Sequence, residues 1–166
     1  MNGQTEIQID AELKALADQA LNERIAQIVD FSKDNPDHKV AKMNAGLGES
    51  DERWHCAGAL EIAGFAWWTL HVQMDFAYPQ VRLFNASGGP SWALTAGIGA
   101  IAGSFVVPAE KLTPGTYNFS VSQLSFKVGG IGFDLFDRNH KLLGTCYGVI
   151  AGAGGASLSG SGELSW

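Results

Sequence analysis

Four histidines, His38, His55, His71 and His140, are the first residues in this chain that could do chemistry. None stands at metal-ligand spacing from another histidine or from a cysteine, so the sequence predicts no metal site. His55 and Cys56 are adjacent, and on a strand they face opposite sides. Cys56 and Cys146 lie far apart in sequence and read as buried free thiols. Asp134 and Asp137 flank Phe136. A carboxylate pair can do acid–base work if a pocket and a second partner are present. Beside Asn139, however, Asp137 reads more simply as turn chemistry. No serine occupies a Gly-x-Ser-x-Gly elbow, and Cys146 would find His55 or His71 only through space. Gly97-Ile98-Gly99 is not followed by a third glycine at the phosphate-cradle spacing. Gly152-Ala153-Gly154-Gly155 has no Lys-Ser/Thr after it. No catalytic set assembles, and the reading is a non-enzyme with no cofactor.

The tryptophans carry more information: Trp54, Trp67, Trp68, Trp92 and Trp166. Clustered aromatics fill cores, stack on sugars or settle at a membrane interface. Trp67 and Trp68 are neighbours on one predicted strand, so only one can face the core. Trp68 is in phase with Leu70, Val72, Met74 and Phe76, which leaves Trp67 and His71 on the other face. Trp67, His71 and, in an uncharged stretch, Trp92 are therefore the candidate ligand or membrane contacts.

The elements that would position them divide the chain unequally. Asp10 can cap a helix, and Leu13, Leu16, Ala17, Ala20, Leu21, Ile25, Ile28 and Val29 form its apolar stripe. Glu12, Lys14, Asp18, Asn22, Glu23 and Arg24 are expected on the outer face, and Asp34-Asn35-Pro36 stops the helix. Residues 1–36 are thus a helix with its lead-in, 37–52 a polar linker, and 53–166 a β domain. Strands are expected over Arg53–Ala63, Phe65–Ala77, Gln80–Asn85, Trp92–Thr95, Ala102–Val107 and Thr116–Val128, the last slipping phase near Gln123. Ile131, Phe133 and Leu135 alternate with Gly132, Asp134 and Phe136. A turn at 137–140 leads into Lys141–Ile150, and Ser157–Trp166 closes the domain. Eight or nine short strands with turn signals between them point to an antiparallel closed barrel, which leaves no exposed edge.

Composition narrows the classes further. The chain has 166 residues, enough for one domain with a real core. Only 17% of them are charged, and the net charge of −6 argues against nucleic acid. Sixteen of the 21 glycines follow Phe84, and Leu83–Ala109 holds no charge at all. The first ten residues, MNGQTEIQID, have no apolar core and read as no Sec signal, which suggests the cytoplasm or a signal-less route of export. The final strand offers too few outward apolar residues for an outer-membrane barrel.

The run GGIGFDLFDRNHKLLGTCYGVIAGAGGASLSGSGELSW, residues 129–166, resembles the C-terminal part of the rhodococcal virulence-associated protein (Vap) family. The matching features are Phe136-Asp137, a turn, Leu143-Gly144, the glycines from Gly152 to Gly155, and Trp166. VRLFNASGGPSWALTAGIGAIAGSFVV is similar in order to the family's glycine-rich middle, and the resemblance spans residues 53–166. It implies a compact eight-stranded antiparallel barrel with a filled interior and no catalytic residues. It also implies a secreted protein that acts on a host membrane or host partner. The helix from Ala11 to Phe31 and the two cysteines depart from the family pattern. Two other readings remain open. One is a glycan- or small-ligand-binding barrel using Trp67, His71 and Trp92. The other is a partner-binding adaptor or inhibitory domain using the N-terminal helix.

Overall fold

A computed structural model describes residues 11–64, 67–76, 80–88, 97–124, 130–149 and 157–166. Helix α1 spans Ala11–Asp34 and a short helix α2 spans Lys39–Met43. Eight strands follow: β1 Trp54–Gly64, β2 Trp68–Asp75, β3 Val81–Gly88, β4 Gly97–Phe105, β5 Gly115–Gln123, β6 Gly130–Phe136, β7 Leu142–Val149 and β8 Leu158–Ser165. They close antiparallel in the order β1-β2-β3-β8-β5-β6-β7-β4. This is the closed eight-stranded barrel with a preceding helix that the sequence and its resemblance predict.

The barrel interior is apolar and aromatic. On β2, Trp68, Leu70, Val72 and Met74 are buried, and Thr69, His71 and Gln73 are exposed. Phe119 meets Trp68 edge-on at 5.7 Å and Phe84 at 5.6 Å, and Phe133 lies 5.5 Å from Phe84. Such edge and tilted contacts add roughly 0.5–1.5 kcal/mol per pair beyond area burial. Two glycines make room for larger side chains in so narrow a barrel. A Cβ on Gly88 would fall 2.3 Å from the Trp68 ring. One on Gly103 would fall 2.5 Å from the Cys56 sulfur and 2.8 Å from that of Cys146.

Cys56, Gly103 and Cys146 share one row across β1, β4 and β7. Both cysteines are free and buried. Their Cα atoms lie two strand spacings apart, about 9 Å, whereas a disulfide needs less than about 7 Å. Hydrogen bonding to Cys56, together with burial, pushes the Cys146 thiol well above its ordinary range. These are inert core thiols.

α1 lies on the outer wall over β4 and β7. Ala17 and Ala20 pack on Ala102, Leu124 and Tyr147, and Leu21 and Ile25 pack on Leu142. Burial and the nearby Glu12 raise the Tyr147 pKa. Because α1 covers this sector, β6 and most of β7 are buried on both faces. The segment expected to be a linker contains α2, capped by His38 Nδ1, which accepts from the Val40 N–H at 3.1 Å. Asn44 then ties α2 to the β6–β7 turn. Its Nδ2 donates to the His140 carbonyl at 3.0 Å, and its Oδ1 accepts from the Leu142 N–H at 2.9 Å. That turn falls at 137–140 as the sequence indicates. His140 there takes φ 68°, and Asp137 Oδ1 accepts from the N–H groups of Asn139 and Lys141.

Two details differ from expectation. β5 simply ends at Gln123, and the register shift falls between Leu135 and Phe136 instead. β4 runs Gly97–Phe105 where a strand over Ala102–Val107 is expected, and the expected strand at Trp92–Thr95 lies outside the described residues.

Candidate functional site

Polar side chains converge under α1, in a place the sequence does not reveal. Arg24, expected on the outer face of the helix, is buried instead. Its Nε donates to Asp134 Oδ2 at 2.7 Å, and it also bonds Ser122. Ser120 donates to the same carboxylate at 2.9 Å, and Thr145 at 2.8 Å. Burial pushes the Asp134 carboxyl above the usual carboxylate range, outweighing the pull of Arg24 and of the Thr145 and Ser120 hydroxyls. A second polar tie joins α1 to β1 and β4. His55 Nε2 donates to Asp18 Oδ1 at 2.7 Å, and Ser104 Oγ donates to the same oxygen at 2.6 Å.

Neither group is arranged as catalytic machinery. In the second, a carboxylate receives both a serine and a histidine. A nucleophilic triad needs the histidine between the other two. Asp134 and Asp137, paired in the sequence, do separate jobs: one is buried beneath α1, and the other braces a turn. Among the described residues, no three His, Cys, Asp or Glu side chains could hold a metal ion. Every buried side-chain polar atom described has a hydrogen-bond partner. The polar groups under α1 therefore fix how the helix sits, since breaking such a pair costs about 3–5 kcal/mol.

The sequence-predicted contacts lie on the open side of the molecule. Trp67 is 68% exposed at the bend before β2. His71 is exposed further along the same strand, and its Nδ1 donates to Asn85 Oδ1 on β3. Trp92 lies outside the described residues. A shallow groove of about 400 Å³ runs past Thr69, His71, Asn85, Ser87 and Glu163. The outer wall here is polar and the interior apolar, the reverse of a membrane-spanning barrel. No described helix is long and apolar enough to cross a membrane.

Two exposed residues that the sequence reading missed belong to the same end of the barrel as Trp67. Ile98, 64% exposed, opens β4, and Val149, 54% exposed, ends β7. The strand pairings bring the ends of β1, β3, β5 and β7 to this end. In sequence, the four segments that lead onward from those strands carry a single charge, Lys127. Glu61, paired with Ile98 across β1 and β4, is the carboxylate nearest to it by register. Ile98 sits in the uncharged glycine-rich run Leu83–Ala109, from which the sequence singles out Trp92 alone as a contact.

No protein-family model matches the chain, and no curated protein does. Among solved structures, it is similar to the virulence-associated protein VapB from the intracellular pathogen Rhodococcus equi. The TM-score is 0.48 with 18% identity, over 69% of this chain and 97% of that one. It is likewise similar to VapD of the same organism, with TM-score 0.46 and 18% identity over 69% and 96% of the two chains. The likeness to both is one of fold.

Proposed function

We propose that this chain is a non-enzymatic barrel of the virulence-associated type that acts at a host lipid membrane, docking by the end that carries Trp67. One observation carries the reading: among the described residues, Trp67, Ile98 and Val149 are large apolar side chains exposed at a single barrel end. An indole suits the lipid headgroup boundary, where its ring is buried and its N–H stays wet. Burying three such side chains is worth several kcal/mol, at about 1.5–3 kcal/mol each. That matches reversible surface contact and falls far short of insertion. The net charge of −6 opposes contact with anionic lipid, so binding strengthens as acid protonates carboxylates.

The test is co-sedimentation with phosphatidylcholine vesicles, with and without phosphatidylserine, at neutral and acidic pH. The expected result is binding that survives high salt and grows as the pH falls. Trp67→Ser combined with Ile98→Ser should weaken it at least tenfold while leaving the melting temperature unchanged. Equal binding by the double variant, or no binding at any pH, would remove the membrane reading.

A further inference from the structure

α1 does not lie flush along its whole length. Between its second half and the outer wall of β5 and β8 runs a cavity of about 700 Å³. That volume falls within the roughly 300–1,000 Å³ of small-molecule sites. It meets the Thr69–His71 groove at Ser161 on β8 and is built from two separate parts of the chain. Gln27 and Ile28 come from α1, and Asn118, Ser120, Ser159 and Ser161 come from the barrel.

The chemistry of this lining is unusual in being almost entirely neutral. Its two full charges, Arg24 and Asp134, are spent on each other at 2.7 Å, and His140 is the other titratable side chain in the lining. Arg24 also donates to Gln27 Oε1 at 3.0 Å, leaving the Gln27 amide N–H groups to donate elsewhere. Asn118 Nδ2 donates to the Asp137 carbonyl at 3.1 Å, leaving its Oδ1 as an acceptor. Ser159 and Ser161 are exposed on β8, and each hydroxyl can both donate and accept. Ile28, Val40 and Phe136 supply apolar surface beside these groups.

An anion would be set against Asp134 and against Glu23, which lies 3.6 Å from the Arg24 guanidinium. A cation would be set against Arg24 itself. An apolar ligand would strip water from the serines, Asn118 and Gln27 and return no hydrogen bonds, at a cost per group. A compact uncharged molecule with hydroxyls at its edge and C–H groups on its face satisfies both halves of the lining.

We infer that the α1–barrel groove is a binding site for a neutral mono- or disaccharide unit. Trp67 lines no part of this site. Because α1 forms one wall and the barrel the other, a sugar bound here also clamps the helix to the barrel.

The test is an NMR titration of isotope-labelled protein with glucose, N-acetylglucosamine, mannose and lactose, each to about 20 mM, past the millimolar range of weak binding. Inorganic phosphate serves as the charged probe. The expected result is saturable shifts at Gln27, Asn118 and Ser159 with at least one sugar, together with slower amide exchange in α1. Ser159→Tyr, which fills the groove from an exposed position, should weaken binding at least tenfold, and Trp67→Ser should leave it unchanged. Gln27→Ala, on the exposed face of α1, gives the same reading, a several-fold loss, without touching the barrel. A sugar that binds free and also as a vesicle-borne glycolipid headgroup supports the site from either source. No shift with any of the four sugars, shifts confined to Trp67 and His71, or tighter binding of phosphate in the groove would each overturn it.

Discussion

At one end of the barrel, charge is turned inward and consumed; at the other, apolar side chains are turned outward and left in water. Arg82, near the start of β3, points into the barrel. Its guanidinium donates to the carbonyls of Leu112 at 2.8 Å and Ala109 at 2.9 Å, and it lies 4.4 Å from the Trp166 ring. Burial lowers its pKa, yet arginine stays charged. Asn44 and Asp137 tie α2 and the β6–β7 turn at the same end. At the opposite end, Trp67, Ile98 and Val149 have no charge to spend. The first end therefore holds the buried polar ties, and the second carries the contact proposed above. Mutations at the two ends should separate these effects.

The largest effect is expected at the charged end. Arg82→Met leaves the buried Leu112 carbonyl without its side-chain donor, at about 1–3 kcal/mol, while the Ala109 carbonyl keeps the Leu112 N–H. Urea unfolding should show a loss of this size, while vesicle binding per folded molecule stays constant. Asn44→Ala should cost about 1–3 kcal/mol, because the Leu142 N–H loses its acceptor inside the protein. Its signature is faster amide exchange in α2 and the 137–141 turn, with the Trp67 end unaffected.

α1 spans the distance between the ends, and its pH response has a definite sign. The Asp134 carboxyl has a raised pKa in the fold, so the folded state holds that proton more tightly than the unfolded chain does. Its contribution to stability therefore grows as the pH falls from the raised value toward the ordinary carboxylate range, and levels off below it. Acid does not unlatch α1 through Asp134. Amide exchange in α1, corrected for intrinsic rates, should be no faster at pH 5 than at pH 7. Faster exchange there would mean that another group controls the helix. The smallest stability change belongs to Trp67→Ser, within about 0.5 kcal/mol as for other exposed sites, although its vesicle binding should fall severalfold.

The sequence reveals an element most clearly where one face of it stays wet. β2 shows this, because alternation assigns Trp68 to the core and Trp67 to the outside. It was less clear beneath α1. Asp134 lies on the outward phase of β6, where a carboxylate ordinarily meets water, but the helix buries it. Its partner Arg24 stands 110 residues away, and no local pattern links the two. The α1–barrel groove was invisible for the same reason, since its walls come from Gln27 and Ser159. Ile98 and Val149 were hidden by their glycine-rich, uncharged surroundings. The resemblance to the Vap family concerns residues 53–166 and so carried no information on how α1 is held.

The most direct test of the central claim is quenching of tryptophan fluorescence by brominated phosphatidylcholine vesicles at acidic pH. It should be run on the wild-type chain, Trp67→Phe and Trp166→Phe. The account predicts strong quenching in the wild type and in Trp166→Phe, and clearly less in Trp67→Phe. Quenching lost in Trp166→Phe but retained in Trp67→Phe would place the charged end on the lipid and contradict it.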